Sequence, residues 1–518
     1  MSKRFFTLGL ALVPLLVGGP RAALRAVQDA APAPVHLVVL HTNDVHGQAL
    51  PHRVRDDDGT ERLEGGLARV ADYVARVRAE HVGPDRGLLV VDGGDWWQGT
   101  PEGAHDGGLP FVRALAAVGY DAMALGNHEF DLGLAPLRRI LAESGAPALA
   151  ANVREAPGGE RVDWVEPFEV VEVAGLEVAL VGLVYEHTPS ITHPEARALH
   201  FADEVEELGR VLAELPESVD LVVPLTHCGI DVDRRLAEAF PDLPLVIGGH
   251  SHTFLRSGLQ VGSTLVAQAG SKARVVGRID LFVDRESGEV LASNARLIEL
   301  DRVGPAAHRN LDVAGRVATL AQATEAALGE PVGSLAGPLE PGGAFRSSSV
   351  GNWIADAFRG GVESDVGLHN RGGIRKRLEP GPLTRRDLFE LLPFPNTLVR
   401  IELTGAELEA VLRGALLGRE TSRLEVSGLG LEVELDDEGR VSDLEVTVGS
   451  APLDPEATYG VATNSYLAEG GDGLFELERE LEITDTGTLL RELLERSLRE
   501  RTDPFLPPAD DRYRVRRR

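Results

Sequence analysis

Short apolar runs alternate with amphipathic segments over the first 300 residues of the sequence. The amphipathic segments at 66–81 and 110–118 have apolar residues at helical spacing. The apolar runs are short and bounded by polar or glycine-rich turns, which is typical of buried strands. These runs occupy residues 35–40, 87–91, 178–183, 221–225 and 245–247. The pattern predicts a layered α/β domain with helices outside the sheets.

The chain of 518 residues is too long for a single hydrophobic core. An Ala-rich stretch at 302–327 predicts a connecting helix, and the Gly/Pro-rich stretch that follows indicates a domain boundary. We therefore expect a first domain at 35–301, a linker helix at 302–330 and a second domain at 331–518. The second half shows a different pattern, typical of an α+β domain, with helices predicted at 349–358 and 405–416 and strands at 398–403, 429–435 and 441–448.

The N-terminus has the pattern of a secretory signal. Lys3 and Arg4 precede an apolar run at 5–17, and a stretch of small residues and prolines follows it. This run is too short to span a bilayer. We expect residues 1–34 to be a signal peptide and leader, and the protein to be exported to the periplasm or secreted, without a transmembrane anchor.

Charge and cysteine content exclude several classes of partner. The chain has 52 Lys and Arg against 81 Asp and Glu, a net charge of −29, which disfavours nucleic acid polymers and anionic membranes. Cys228 is the one cysteine, so neither a disulfide framework nor a Cys-rich zinc module is possible. The arginine-rich segment 512–518 predicts a solvated tail. A small anionic substrate remains compatible with this chain, and no feature indicates a protein partner.

Side chains able to bind metal ions follow several apolar runs. Residues 41–47 read His-Thr-Asn-Asp-Val-His-Gly, 92–95 Asp-Gly-Gly-Asp, 124–131 Ala-Leu-Gly-Asn-His-Glu-Phe-Asp, 226–229 Thr-His-Cys-Gly and 248–252 Gly-Gly-His-Ser-His. Each motif alone is weak evidence, since an Asp-x-His triplet is usually a polar turn and Asn127 fits a helix cap. In an α/β sheet, however, strand ends converge on one crevice. Together the motifs supply nitrogen and oxygen ligands for two divalent cations: Asp44, His46, Asp95, Asn127, His227, His250 and His252.

The order of these motifs resembles the calcineurin-like metallophosphoesterases, and within them the 5′-nucleotidase family that includes the periplasmic UDP-sugar hydrolases. The resemblance implies an N-terminal four-layer α/β-sandwich metallophosphoesterase domain and a C-terminal α+β 5′-nucleotidase domain. It implies that one metal is held by Asp44, His46, Asp95 and His252, and the other by Asp95, Asn127, His227 and His250. Asp95 would bridge the two ions. The same match implies that His128 contacts the phosphoryl group and that Asp131 orients His128.

Three segments of the second half extend the resemblance. Residues 369–375, His-Asn-Arg-Gly-Gly-Ile-Arg, are similar to the family's Asn-x-Gly-Gly-Ile-Arg, which implies that Asn370 and Arg375 hold phosphate. Residues 392–397 and 466–473 imply that Phe394 and Tyr466 stack on a base while Asp472 bonds the ribose or base edge. Taken without the resemblance, both aromatic residues are equally compatible with a place in the core.

Two departures from the family pattern concern the substrate. The family's Arg-x-x-Glu is missing before Gly351, so we expect Arg346 to substitute for its arginine, with Arg371 as a further cation. Pro395 replaces a glycine of the family. We interpret Cys228 as a small buried apolar side chain. His187 and His193 are expected to be exposed or capping residues, and Trp96 and Trp97 either line the site or pack in the core.

The resemblance implies an exported phosphohydrolase that releases phosphate from nucleoside 5′-monophosphates, with UDP-sugars or nucleoside di- and triphosphates as further substrates. Two divalent metal ions, Zn, Mn or similar, would generate a metal-bound hydroxide for in-line attack and neutralise the phosphoryl oxygens. Within the same class, a 2′,3′-cyclic-nucleotide 2′-phosphodiesterase/3′-nucleotidase shares the metal motifs, and an exported thiosulfohydrolase is more distant. A catalytically silent nucleotide-binding module is the alternative from another class.

Overall fold

The computed structural model of the protein describes residues 33–55, 60–300, 308–475, 477, 479, 481–506 and 510–517. The predicted signal peptide and leader lie outside these ranges except for Ala33 and Pro34. The first part of the predicted linker, 302–307, is also outside them. Among the described residues, none of the helices combines the length and the apolar character that a membrane span requires.

The described part of the first half contains these elements. The strands are β1 Val35–Thr42, β2 His52–Arg55, β3 Glu61–Glu64, β4 Arg86–Asp92, β5 Ala122–Ala124, β6 Ala148–Leu149, β7 Val153–Arg154, β8 Phe168–Val173, β9 Leu176–Val184, β10 His200–Phe201, β11 Leu221–His227, β12 Leu245–Ile247, β13 Leu259–Val261, β14 Thr264–Ala267, β15 Val275–Val283 and β16 Val290–Glu299. The α-helices are α1 Leu67–Glu80, α2 Pro101–Ala104, α3 Leu109–Ala116, α4 Leu134–Leu141, α5 Glu204–Glu214 and α6 Ile230–Ala239.

The described part of the second half follows the long helix α7 Leu311–Leu328. Its strands are β17 Pro331–Leu335, β18 Val366–Asn370, β19 Gly381–Thr384, β20 Thr397–Thr404, β21 Leu424–Ser427, β22 Leu429–Leu435, β23 Val441–Val448, β24 Ala451–Pro452, β25 Thr458–Asn464, β26 Thr484–Leu489 and β27 Tyr513–Arg517. Its α-helices are α8 Ser349–Gly361, α9 Arg385–Leu391, α10 Gly405–Leu416, α11 Ser465–Ala468 and α12 Leu490–Arg499.

Two six-stranded sheets pack face to face in the described part of the first half. Their strand orders are β16-β15-β1-β4-β5-β6 and β13-β14-β12-β11-β9-β8. Leu37, Leu89, Leu180 and Leu225 belong to the buried core between them. Helices α1, α3 and α7 cover the outer face of the first sheet, and α5 and α6 cover that of the second. The predicted four-layer α/β sandwich is confirmed.

The second half is an α+β arrangement, as predicted. A five-stranded sheet has the order β21-β18-β25-β20-β26, and a four-stranded sheet has the order β24-β23-β22-β27. The first of these packs against α8 and α10. Helix α10 and strands β22 and β23 have the predicted bounds. Their apolar residues alternate with polar ones at the period of the element, so local sequence suffices to locate them.

The prediction of a solvated C-terminal tail was wrong. Strand β27 pairs in parallel with β22. Tyr513 is buried in the core, and Arg512 is only 9% exposed. The Arg512 guanidinium donates to the carboxylate of Asp356 at 2.8 Å and to the carbonyl of Val426 at 2.5 Å. The partners that order this segment lie about 80 to 160 residues earlier in the chain, so the local run of arginines could not reveal them.

The carboxyl ends of the parallel strands in both sheets lie at the same edge of the sandwich. Strand β1 pairs in parallel with β4, so Thr42 lies beside Asp92. In the second sheet β11 pairs in parallel with both β9 and β12. The ring of His227, at the end of β11, contacts the carbonyl oxygen of Gly93 through Nδ1 at 2.7 Å, which links the two sheets. Turns that follow these strands therefore share one crevice.

Candidate functional site

The Asp95 carboxylate lies at the centre of the predicted metal ligands. Its Oδ2 is 3.0 Å from Nε2 of His227 and 3.7 Å from Nε2 of His46. The Nε2 of His128 lies 4.0 Å from the same oxygen. Asp95 and His227 are both buried. Two predicted imidazole ligands and His128 thus lie around one carboxylate oxygen, a position from which a carboxylate could contact two cations.

A second group of ligands adjoins Asp95. Nε2 of His252 lies 3.1 Å from Oδ1 of Asp44 and 3.0 Å from Nε2 of His46. On the other side, Nδ1 of His250 lies 3.0 Å from Oδ1 of Asn127. The Asn127 side chain makes no helix-capping bond, so the alternative of a cap is not what the structure shows. All seven predicted ligands therefore lie in one cluster.

Backbone strain accompanies this cluster. Five of the predicted ligands have positive φ values between 49° and 73°: Asp44, His46, Asp95, His250 and His252. Such values are uncommon for residues other than glycine and cost about 1 to 3 kcal/mol each unless the surroundings hold them. Backbone hydrogen bonds hold two of these residues in place. The N–H of Asp44 donates to the carbonyl of Gly94 at 2.8 Å, and the N–H of His46 donates to the carbonyl of Asp95 at 2.9 Å.

The donor set fits divalent cations. His46 and His227 each turn Nδ1 toward a backbone carbonyl, of Gln98 at 2.9 Å and of Gly93 at 2.7 Å, so each ring presents its Nε2 to the centre of the cluster. The Nε2 of His227 is buried and makes no well-oriented hydrogen bond to any described residue, although Oδ2 of Asp95 lies 3.0 Å from it. Burial lowers the pKa of His46 to about 3, which keeps it neutral. Neutral imidazoles, carboxylates and an amide oxygen are ligands that Zn, Mn and similar ions accept.

The cluster also favours positive charge at its centre. Burial opposes protonation of His227, yet the carboxylates of Asp95 and Asp44 raise its pKa to about 10. Although burial works to raise it, the pKa of the Asp95 carboxylate lies well below its usual range because of the charges on His227 and His128. Bound cations would satisfy the same demand for positive charge.

His128 and Asp131 form a pair beside the cluster. Nδ1 of His128 lies 2.6 Å from Oδ2 of Asp131, and Thr192 donates to Oδ1 of Asp131 at 3.0 Å. The His128 backbone N–H donates to Oδ1 of Asp95 at 3.0 Å. Although burial lowers it, the pKa of His128 is raised to about 9 by Asp131 and Asp95. The contact with Asp131 fixes the orientation of the ring and leaves Nε2 on the side of Asp95.

Two buried side chains that support the ligands were missed by the sequence analysis. Glu129 accepts backbone N–H bonds from Asp95 at 3.0 Å, from Trp96 at 2.8 Å and from Gly126 at 2.7 Å. Asn43 donates to the Asp44 carboxylate at 2.7 Å. Both residues lie inside the ligand motifs at 41–47 and 124–131. Their position in the sequence beside predicted site residues is therefore the one local indication of a supporting role.

Residues of the second half close the cluster into a cavity of about 610 Å³. Predicted ligands and both residues of the His128–Asp131 pair belong to its lining. The lining also includes the predicted substrate residues Asn370, Arg375, Phe394, Tyr466 and Asp472 from the second half. The Phe394 ring stacks on His128 with centroids 5.7 Å apart, and the Arg375 guanidinium lies 5.2 Å from the Phe394 ring centroid. Tyr466 donates to Oδ1 of Asp472 at 2.8 Å.

Other residues named from the sequence lie outside this cavity. Arg346 is exposed and does not line the cavity, so its expected contact with phosphate is not supported. Arg371 also turns away, because its guanidinium pairs with Glu425 at 2.8 Å and donates to the carbonyl oxygens of Ala344 and Arg346. A buried carboxylate and two turn carbonyls bind the arginine that the motif alone associated with substrate.

The two tryptophans and the cysteine lie in the core, whereas the two remaining histidines differ in position. Trp96 and Trp97 are fully buried in the core of the first half. Cys228 is buried, and burial raises the pKa of its thiol well above the usual value. His187 is exposed, whereas His193 lines the cavity and accepts the backbone N–H of Glu195 at 3.3 Å.

Two protein families match the chain. The family described as calcineurin-like phosphoesterase matches residues 37–254, and the family described as 5′-nucleotidase, C-terminal domain, matches residues 331–479. The chain is 28% identical to the snake venom 5′-nucleotidase of Gloydius brevicauda, covering 92% of this chain and 88% of that protein. It is 26% identical to the 5′-nucleotidase of Vibrio vulnificus, covering 98% of both chains.

A solved structure extends the likeness to the fold. The 5′-nucleotidase precursor from Thermus thermophilus superposes with a TM-score of 0.78 at 30% identity, over 93% of this chain and 99% of that one. The chain spans almost the full length of these relatives. The protein therefore belongs to the 5′-nucleotidase family of calcineurin-like metallophosphoesterases and is an enzyme of that hydrolase family.

Proposed function

We propose that the protein releases phosphate from nucleoside 5′-monophosphates with the help of two divalent cations. One observation carries the proposal: a single cavity is lined both by metal-binding side chains of the first half and by Arg375, Phe394 and Tyr466 of the second half. A nucleoside monophosphate presents a dianionic phosphate and an aromatic base at opposite ends. A cavity with both kinds of wall can hold both ends at once.

The chemistry at the phosphate end divides between cations and side chains. Divalent cations held by the ligand cluster would lower the pKa of a water and neutralise the phosphoryl oxygens. His128 would donate from Nε2 to a phosphoryl oxygen on which charge develops. Asp131 keeps the His128 ring oriented through Nδ1, and Thr192 holds Asp131. Arg375 and Asn370, from the second half, would bind the remaining phosphate oxygens.

The nucleoside end depends on stacking. Phe394 and Tyr466 would enclose the base, and one aromatic ring against a base is worth about 1 to 3 kcal/mol whichever base it is. Asp472 offers carboxylate oxygens to the ribose hydroxyls or the base edge. This arrangement favours broad nucleotide specificity, and we include UDP-sugars and nucleoside di- and triphosphates as candidate further substrates.

Export and domain bounds form part of the same proposal. The basic and apolar pattern of residues 1–34 supports a cleaved signal peptide and a periplasmic or secreted enzyme. We propose that the catalytic domain comprises 35–301 and the substrate-binding domain 331–518, joined by a linker at 302–330. Mass spectrometry of the mature N-terminus, after expression of the full chain in a secreting host, tests the cleavage directly.

A hydrolysis screen with and without metal tests the activity. Purified protein loaded with Mn or Zn is expected to release phosphate from AMP and to lose this activity after chelation. UDP-glucose, 2′,3′-cyclic AMP and a bis-aryl phosphate complete the panel. Preferred hydrolysis of 2′,3′-cyclic AMP would instead favour the cyclic phosphodiesterase, and an absence of turnover on every substrate would favour a silent binding module.

The base clamp has its own test. Tyr466→Ala is expected to raise KM for AMP about tenfold, since it removes one stacking ring, and to leave 4-nitrophenyl phosphate hydrolysis unchanged. Tyr466→Phe retains the ring and loses only the hydrogen bond to Asp472, so KM for AMP should rise less than in Tyr466→Ala, and 4-nitrophenyl phosphate hydrolysis should not change. An equal loss on AMP and on the aryl phosphate would refute the clamp.

A further inference from the structure

A continuous chain of hydrogen bonds lies behind the residues that face the nucleoside end of the cavity. The Nδ2 of Asn464 lies 3.1 Å from Nδ1 of His369 and 3.2 Å from Oδ1 of Asn370. Asn370 donates from Nδ2 to Oδ2 of Asp472 at 3.0 Å. Tyr466 donates to the other oxygen of Asp472 at 2.8 Å. His369 and Asn464 do not line the cavity, whereas Asn370, Tyr466 and Asp472 do.

The orientation of the Asn464 amide follows from its other bond. Its Oδ1 accepts the backbone N–H of Leu467 at 2.9 Å and so caps helix α11, which carries Tyr466. A backbone N–H can only donate, so the oxygen of the amide must face Leu467 and Nδ2 must face His369 and Asn370. Asn464 is fully buried, and each of its polar atoms is used.

His369 must therefore act as an acceptor. Since Nδ2 of Asn464 donates, Nδ1 of His369 carries the lone pair and Nε2 carries the proton. This Nε2 is buried without a hydrogen-bond partner among the described residues. Burial lowers the pKa of His369 to about 3, in keeping with a neutral ring.

Burying an imidazole with one unpartnered nitrogen lowers the stability of the fold relative to an apolar side chain of similar size. The ring contributes the acceptor at Nδ1, and it packs closely on Gly373. A Cβ atom added to Gly373 would lie 2.9 Å from Nε2 of His369. Gly373 belongs to the same glycine-rich turn as Asn370 and lines the cavity. His369 thus contacts the turn in two ways without reaching the substrate itself.

We propose that His369 and Asn464 are positioning residues for nucleoside binding. Asn464 holds Asn370 through one N–H and the first turn of α11 through its oxygen, and His369 holds the amide of Asn464 in that orientation. Asn370 and Tyr466 in turn fix both oxygens of Asp472. The inference rests on the proposed nucleotidase function, and it assigns affinity for the nucleoside to two side chains that lie behind the cavity wall.

Substitutions of His369 test the proposal on the full-length, metal-loaded enzyme. His369→Leu removes the acceptor and leaves a buried N–H of Asn464 without a partner, so KM for AMP should rise at least about tenfold while kcat stays within about threefold. KM for 4-nitrophenyl phosphate, which shares only the phosphate contact of Asn370 with AMP, should rise by a much smaller factor than KM for AMP. His369→Asn places an amide oxygen near the position of Nδ1 and should restore most of the affinity for AMP.

Thermal unfolding of each variant establishes that the fold is retained, and His369→Phe replaces His369→Leu if the latter does not accumulate as folded protein. Wild-type enzyme that hydrolyses AMP, together with a His369→Leu variant whose KM is unchanged, overturns the inference and leaves the proposed function intact. Equal losses on AMP and 4-nitrophenyl phosphate, or no rescue by His369→Asn, also overturn it. A wild-type protein that is inactive on AMP overturns the proposed function and the inference with it.

Discussion

At the scale of single residues, the site depends on Asp95 and on the groups that hold it. Its Oδ2 faces three imidazole nitrogens, while its backbone N–H is held by Glu129 and its own φ is 61°. A carboxylate in this position brings negative charge to the centre of a ring of nitrogen ligands. The strain of the backbone is tolerated because bonds from both sheets converge there.

Asp95→Asn should remove most of the metal and the activity. The substitution keeps the size of the side chain but replaces one oxygen by an amide N–H₂ group, which cannot bind a cation. Substituting even a residue that only hydrogen-bonds to a metal ligand lowers metal affinity or activity about 10- to 100-fold. We therefore expect AMP hydrolysis to fall by more than about 100-fold. Bound metal is measured by mass spectrometry. The exposed Asp242→Asn is the matched control, and full activity in Asp95→Asn would refute the bridging role.

Glu129→Gln should destabilise the protein by about 1 to 3 kcal/mol. The carboxylate accepts three backbone N–H bonds, whereas a glutamine has one oxygen and turns an N–H₂ group toward the remaining donor. Urea unfolding measures the change. Exposed Glu238→Gln on α6 serves as the control and should change stability by less than about 0.5 kcal/mol. Equal stability of the two variants would contradict the supporting role of Glu129.

At the scale of secondary-structure elements, ends and caps decide where side chains point. Helix α10 begins with a capping box in which Thr404 accepts the N–H of Glu407, and the Glu407 carboxylate accepts the N–H of Thr404. Arg479 also donates to this carboxylate, at 2.6 Å. Glutamate at the third position of a helix is favourable for the helix dipole as well. The helix therefore starts at the residue that the sequence predicts.

The capping carboxylate makes the stability of α10 depend on pH. The hydrogen bond from Arg479 lowers the pKa of Glu407 to about 2, below its ordinary value of 4.5. Its charge thus stabilises the fold above about pH 4.5, and this contribution is lost as pH falls from there toward about 2. Glu407→Gln should lower stability by about 0.5 kcal/mol at pH 7, and the difference from wild type should shrink below pH 4.5. Unfolding curves at several pH values measure this stability difference, and the exposed Glu456→Gln is the control. A difference that does not depend on pH would contradict the role of the Glu407 charge.

At the scale of the whole molecule, the site is complete only where the two halves meet. The ion pair between Arg386 of α9 and Glu102 of α2 joins them at 2.6 Å, with Glu102 only 4% exposed. Gln98 also donates to the carbonyl of Pro393 at 3.4 Å, one residue before Phe394. These contacts set the distance between the metal-binding side of the cavity and the substrate-binding side.

A double-mutant cycle on this pair should show strong coupling. Arg386→Met leaves the buried carboxylate of Glu102 without its cation and should cost more than about 1 kcal/mol of stability. Adding Glu102→Gln removes the buried charge, so the double variant should be more stable than the sum of the single effects predicts, by about 0.5 to 3 kcal/mol. Denaturant unfolding of the four proteins provides the measurement. Additive effects would show that the halves do not depend on this pair.

Local patterns account for the most regular elements and for the composition of the site. Helix α10 and strands β22 and β23 have the predicted bounds because apolar periodicity is a property of neighbouring residues. The metal-binding motifs follow strand ends, and a parallel sheet brings such ends to one edge whatever lies between them. The role of His369 had no such local signal, since its partner Asn464 lies about 100 residues away in the chain.

The amino-acid pattern alone was enough to establish the layered α/β half, the α+β half and a cluster of nitrogen and oxygen ligands. Arg375, which the sequence already indicated, lines the cavity, but the positions of Arg371 and Arg346 outside it came only from tertiary contacts: Arg371 pairs with Glu425, and Arg346 is exposed. The order of the C-terminal strand β27 likewise depends on β22 and Asp356. The physical reason is that periodicity and strand ends are encoded by adjacent residues, whereas the partner of a charged side chain is set by chain segments that meet only in the folded protein.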